Sequence, residues 1–173
     1  MGLDMYLYAR KREYAGNYYK SKGSELTQKY PKEVIECFPE FDNDVCDAFT
    51  EEEKIKDGRS VCRNTYYEIG YWRKANAVHN WFVQKCGDGV DECQEIRVSK
   101  SDLEKLRDEC KCVLENKDKA KEVLPTQDGF FFGGTEYDDW YYQGLEHTLE
   151  VANGAIALLD KDAGYDIVYQ ASW

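Results

Sequence analysis

The chain is short of what most catalytic templates require. It has two histidines, at positions 79 and 147, so any Cys/His or Ser/His pair must use one of them. It has no G-x-S-x-G, no H-E-x-x-H, no G-x-G-x-x-G and no G-x-x-x-x-G-K-[ST]. Nothing approaches the roughly 18 consecutive apolar residues of a membrane-spanning helix. Positive charge is in deficit: 23 Lys and Arg stand against 34 Asp and Glu, a net charge of -11 and a pI near 4.7. A duplex or an anionic membrane is repelled by that field, which excludes non-specific binding to either. The acids are interspersed with Lys and Arg, so the charge reads first as solubility and second as an acidic decoy.

The start, MGLDMYLYARK, has an acid at Asp4 and no basic segment before an apolar core, unlike a signal peptide. Ser or Thr is missing where a myristoylation motif places it. The expectation is a cytoplasmic protein. Seven cysteines, an odd number, fall at 37, 46, 62, 86, 93, 110 and 112. With no export signal they do not suggest a disulfide framework. None is spaced C-x-x-C, and the closest pair, Cys110 and Cys112, points to different sides of a helix, so free thiols are expected rather than a metal site.

What the chain has in quantity is aromatic area: 14 Tyr, 7 Phe and 4 Trp in 173 residues. That is enough apolar surface, at the length of one domain, to offset the entropy of folding. Residues 2–10 alternate Leu3, Met5 and Leu7 against Asp4, Tyr6 and Tyr8, the period of a strand. Residues 11–65 hold every proline except Pro125 and read as a long, partly helical excursion, with helices expected at Lys32–Cys37 and around Asp44–Lys56. Thr50 and Glu53 have capping-box spacing there.

A helix is predicted over 66–85 from the stripe Tyr71, Ala75, Val78 and Phe82. A strand follows at 93–99. Next comes a helix from Ser101, whose box partner is Glu104 and whose apolar face is Leu103, Leu106, Cys110 and Val113. Residues 129–134 read as a short aromatic strand bounded by glycines, 138–159 as a long helix, and 165–171 as a last strand. The order predicts a single α+β domain over 1–173: a small, mainly antiparallel sheet with about three helices on one face.

Two segments carry candidate chemistry. On a helix over 66–85, Glu68, Trp72, Asn76 and His79 form a second stripe, with Arg73 and Lys74 nearby as cations. Convergent polar groups beside a large ring suit a ligand wall; the same stripe also suits a core flank whose polar atoms satisfy backbone. The other segment is TQDGFFFGGTEYDDWYY, 126–142. Its glycines precede a helix N-terminus, where backbone N–H groups attract anions, but Asp138 and Asp139 oppose one there. Its rings, among them Phe131, Tyr137 and Trp140, suit stacking on a flat ligand, with Thr135 in the turn.

MGLDMYL, EIGYWRKANAVHNWF, LPTQDGFFFGGTEYDDWYY and IVYQASW together resemble a family of small, uncharacterised proteins encoded by tailed phages and prophages. The resemblance covers both ends and the two candidate segments, and leaves out 11–65 and 86–112. It implies a phage accessory protein acting in the host cytosol, and brings no catalytic residues and no cofactor. By analogy such a protein opposes host defence. The expected function is a binding module, more than an enzyme, that sequesters a small nucleotide-derived ligand such as a host immune signal. The expected ligand residues are Asp4, Glu68, Trp72, Arg73, Lys74, Asn76, His79, Phe131, Thr135, Tyr137 and Trp140. Two alternatives stand beside it. One is an inhibitor or acidic decoy of a host defence protein, with 32–57 as its contact surface. The other is an enzyme that modifies or degrades a nucleotide. A homo-oligomer is compatible with each.

Overall fold

The computed structural model describes residues 2–17, 26–42, 45–54 and 60–173. Strand β1 (Asp4–Asn17) runs through the middle of the sheet. Met5, Leu7 and Ala9 are buried and alternate with half-buried Asp4, Tyr6, Tyr8 and Arg10, as the period-two pattern requires. Fully burying a Met or Leu contributes about 1.5–3 kcal/mol, so this one strand face is a large part of the folding drive.

The chain continues through β2 (Leu26–Lys29), α1 (Lys32–Cys37), a 3₁₀ turn at Pro39–Phe41, β3 (Val45–Lys54) and β4 (Ser60–Arg73). After α2 (Asn76–Cys86) come β5 (Ile96–Val98), α3 (Lys100–Glu115), a short α4 (Ala120–Val123), α5 (Asp139–Asp160) and β6 (Tyr165–Ser172). Among the described residues six strands lie in the order β2-β3-β4-β1-β6-β5, every pair antiparallel. The fold is α+β with helices packed on one face of the sheet. That face is set by register: Met5 lies opposite Trp72 and Ala171, and Leu7 opposite Gly70 and Tyr169. Among the described residues, no helix is long and apolar enough to cross a membrane.

Several expectations are corrected. The stretch 66–85 is not one helix. Residues 60–73 form β4, because NTYYEIGYWR is rich in aromatic and β-branched residues that pack well on a pleated surface beside β1. Ile69 is an extra residue between Leu7–Gly70 and Tyr8–Glu68, a bulge that shifts the register. The strand ends at Arg73, Lys74 follows in the left-handed region with φ 57, and α2 starts at Asn76. The helical spacing of Tyr71, Ala75, Val78 and Phe82 is thus a coincidence across a strand–helix junction.

Similarly, 45–54 is strand rather than helix, and Thr50 and Glu53 lie inside β3; Asp44, Ile55 and Lys56 fall outside the described residues. Within 11–65 the described chain mostly extends the sheet, and only α1 and the 3₁₀ turn are helical. Among the described residues five α-helices stand where about three were expected, two of them of six and four residues. The cap of α3 is Ser99 with Asp102, two residues before the predicted pair, because the same S-x-x-acid spacing occurs twice and β5 ends at Val98. Residues 129–134 are a turn, closed by Phe132 N–H donating to the Gly129 carbonyl at 3.0 Å, not a strand.

The helices at Lys32–Cys37 and 138–159, and the final strand, lie where expected to within a residue or so. The apolar face of α3 is buried as Leu103, Leu106, Cys110 and Val113 and meets α5.

Candidate functional site

The junction at Lys74–Asn76 is where the two candidate segments meet. The Lys74 N–H donates to the Leu3 carbonyl at 2.8 Å, and the Leu3 N–H donates to the Phe131 carbonyl at 3.0 Å. Asn76, 3% exposed, completes the seam. Its Nδ2 donates to the carbonyls of Phe132 (3.1 Å) and Gly134 (2.8 Å), and its Oδ1 accepts the Gln127 N–H at 3.0 Å. Three of its four hydrogen-bonding positions are occupied, so Asn76 is committed to holding the loop. The loop also closes on itself. Thr126 Oγ1 donates to the Thr135 carbonyl at 2.9 Å, and the Thr126 N–H donates to the Tyr137 hydroxyl at 3.2 Å.

Between this loop, the first turn of α2 and the start of α5 lies a cleft of about 210 Å³, bordered by Lys74, Ala75, Val78, Gly133, Tyr141 and Leu145. A second lobe of about 270 Å³ adjoins it, walled by Tyr71, Trp72, Arg73, Gln143 and His147. Ala75, Trp140 and Gly144 border both lobes. Trp140 is 65% exposed, which is unusual for so large an apolar ring. The apolar lining with a few polar groups at the rim is the composition of a small-ligand site.

The lobes differ in charge. The first carries Lys74 with Glu136 and Asp138. Asp138 caps α5, its Oδ1 accepting the Tyr141 N–H at 3.0 Å, so the positive end of that helix is already answered by a carboxylate. The second lobe carries Arg73 and no acid in its wall. Asp4 lies 3.8 Å from Arg73 Nε and accepts the Tyr71 hydroxyl at 2.6 Å. That hydrogen bond, helped by burial and by the charge of Asp4, pushes the Tyr71 phenol up to about 12, so it remains a neutral donor. His147 Nε2 lies 3.1 Å from the Tyr71 carbonyl, which fixes it as the protonated nitrogen.

No family model, curated protein or solved structure matches the chain. The site therefore rests on its own geometry.

Of the residues singled out from sequence, Trp72, Arg73, Lys74, Asn76 and Trp140 border the cleft. The proposed stripe does not exist as one face, because Glu68 and Trp72 are on β4 while Asn76 and His79 are on α2. Trp72 is 4% exposed, and its indole N–H donates to Thr148 Oγ1 at 2.9 Å. The Thr148 hydroxyl in turn donates to the Gly144 carbonyl at 2.6 Å, tying β4 to the helix backbone at the junction of the lobes.

Glu68 borders a different groove of about 1010 Å³, between α5 and the segment Tyr30–Phe41. Phe131, Thr135 and Tyr137 belong to the loop but not to the cleft wall. His79 is away from both lobes and 1% exposed. Its Nδ1 is 2.7 Å from the Tyr169 hydroxyl and its Nε2 is 3.0 Å from Asp91 Oδ2. An ionised Asp91 only accepts, so Nε2 carries the proton and the Tyr169 hydroxyl donates to Nδ1. Burial holds the Tyr169 phenol well above its ordinary pKa, in keeping with a donor there. Trp173 Nε1 reaches the other Asp91 oxygen at 3.3 Å, so His79 anchors the 87–95 loop and the C-terminal residue.

Sequence reasoning passed over Gln143, Gly144 and His147. A signal was present: Trp140, Gln143, Gly144 and His147 fall at i, i+3, i+4 and i+7 on α5.

Proposed function

We propose that this protein is a binding module for a small, flat, nucleotide-derived ligand, held in the two-lobed cleft beneath Trp140. The single observation that carries the reading is the cleft itself. Two segments distant in sequence, 71–78 and 126–147, converge on it, with an exposed indole over an apolar lining and two cations at the rim. An indole face stacks on any base, and Arg73 or Lys74 answers a phosphate. The polar side chains nearest the chemistry expected of an enzyme are spent on structure: Asn76 on the loop, and His79 on Tyr169 and Asp91. That favours binding over turnover. With the resemblance to phage accessory proteins, the module serves as a sponge for a host signalling nucleotide. Isothermal titration against AMP, cyclic dinucleotides and cyclic ADP-ribose isomers tests it. Heat with one of them that disappears in Trp140→Ala supports the reading; no heat with any of them overturns it.

A second reading, a host-protein inhibitor, draws on the larger groove. Its walls include Glu40, Glu68 and Glu150 beside Phe38, Phe41 and a Glu36 bridged to Lys161, an acidic balance that suits a basic partner. Retention of a purified partner by the wild type, and its loss in Glu40→Lys/Glu150→Lys with nucleotide binding unchanged, distinguishes it.

A further inference from the structure

Gly144 lies in α5, five residues past its start, with no demand on it from packing or backbone. A Cβ built there meets nothing within 4 Å. Gly154, in the same helix, is different: its Cβ would lie 2.4 Å from the Phe38 ring, so close helix packing explains it. Gly144 adopts helical geometry, where glycine destabilises relative to alanine. Gly144, Ala75 and Trp140 border both lobes, so the space left by the missing side chain is a passage where the lobes meet. Small residues on both sides of the passage keep it open, and the Trp72–Thr148–Gly144 hydrogen-bond chain holds its floor in place.

We infer that the ligand crosses the helix at Gly144 and occupies both lobes in one orientation, a mononucleotide unit with its ring in the lobe of Val78, Tyr141 and Leu145 and its phosphate in the lobe of Arg73 and Gln143. This rests on the reading of the cleft as a nucleotide site and adds its polarity. Charge decides the polarity. The first lobe has two acids, Glu136 and Asp138, in its wall against Lys74, while the second has Arg73 and no acid in its wall. Asp4 lies 3.8 Å from Arg73 Nε, beyond hydrogen-bond distance, so a phosphate competes with Asp4 for the guanidinium. The Gln143 amide adds a donor, and Trp140 closes over the crossing point. Gly144 is then the residue that determines which ligands fit.

The test is calorimetric titration of the full chain with AMP, adenosine and inorganic phosphate. Wild type binds AMP; adenosine binds at least about tenfold more weakly, as expected when one charge-assisted contact is lost, and phosphate alone, which lacks the ring, also binds at least about tenfold more weakly. Gly144→Met, whose side chain fills the passage, loses AMP binding about tenfold or more, while its melting temperature does not fall below that of wild type. Gly144→Ala melts higher than wild type and serves as the folding control. Arg73→Gln weakens AMP to the level of adenosine and leaves adenosine unchanged. AMP bound equally by Gly144→Met, or weakened equally with adenosine by Arg73→Gln, overturns the inference while the cleft stands as a ligand site. Binding of a cyclic dinucleotide but not AMP overturns the mononucleotide assignment alone. No binding by any nucleotide removes the proposed function, and this inference with it.

Discussion

Replacing Asn76 by Asp changes one NH₂ group to an oxygen and reverses the electrostatics of the loop seam. The Gln127 N–H keeps its acceptor, but the other oxygen now faces the carbonyls of Phe132 and Gly134 at the 3.1 and 2.8 Å where an N–H₂ group donated. Asn76→Ala removes three hydrogen bonds worth about 1 kcal/mol each in net terms, reduced where the freed carbonyls reach water, for a loss of about 2–3 kcal/mol. Asn76→Asp keeps one bond and leaves a buried carboxylate against two acceptors, which costs about 3–5 kcal/mol at neutral pH. The near-isosteric change is thus the worse one. A carboxyl in that position has its folded-state pKa raised, so its penalty is absent below the unfolded value near 4 and grows as pH rises through the folded value. Urea unfolding followed by tryptophan fluorescence at pH 7 and pH 4 measures both variants against wild type. Amide exchange at Gln127 adds a local reading, with protection lost in Asn76→Ala and retained in Asn76→Asp. An Asn76→Asp protein as stable as wild type at pH 7, or more stable there than Asn76→Ala, refutes the assignment of Asn76 as the donor that holds the loop.

Other outcomes follow from the same structure. Gly154→Ala drives a methyl to 2.4 Å from the Phe38 ring and is expected to lower stability by about 1–3 kcal/mol in thermal melts, with no change if α1 moves freely away from α5. Tyr169→Phe leaves the buried His79 Nδ1 without its donor and costs about 1–3 kcal/mol in urea unfolding; a neutral effect would show that the hydroxyl is not spent there. Burial pushes the Cys110 thiol up to about 12 from 9.0, and a thiol raised on folding contributes stability that is complete below pH 9 and lost as pH rises toward 12. Cys86 behaves alike, for the same first cause. The urea midpoint is therefore expected to hold steady up to about pH 9 and to fall above it. A midpoint that rises between pH 9 and 11 contradicts this. Thiol labelling of Cys110 at pH 8 should proceed no faster than the chain opens.

Much of the fold was legible because its signals are local. The alternation of Leu3, Met5 and Leu7 follows from the pleat alone, and the Leu103–Val113 stripe follows from the helical turn. The long helix from 138 and the last strand are equally local. The site was legible in part, since the two segments that form the cleft both stood out by their mixture of rings and polar groups. Which of their side chains face it was not.

That division has a physical reason. A spacing of four residues in sequence is a shared face only if the element is a helix, and whether 66–73 is helix or strand was decided by a partner more than fifty residues away, β1, whose open edge accepts β4 along almost its whole length. Once β4 is a strand, Lys74 must turn the chain, Asn76 comes to rest under the 126–134 loop, and His79 is carried into the core beside Tyr169. The residue types that made the segment conspicuous were set by the sequence; their occupations were set by what folding brought next to them. Gly144 shows the converse. In the sequence it is only a weak point in a helix, and only the tertiary structure shows that the space beside it is empty.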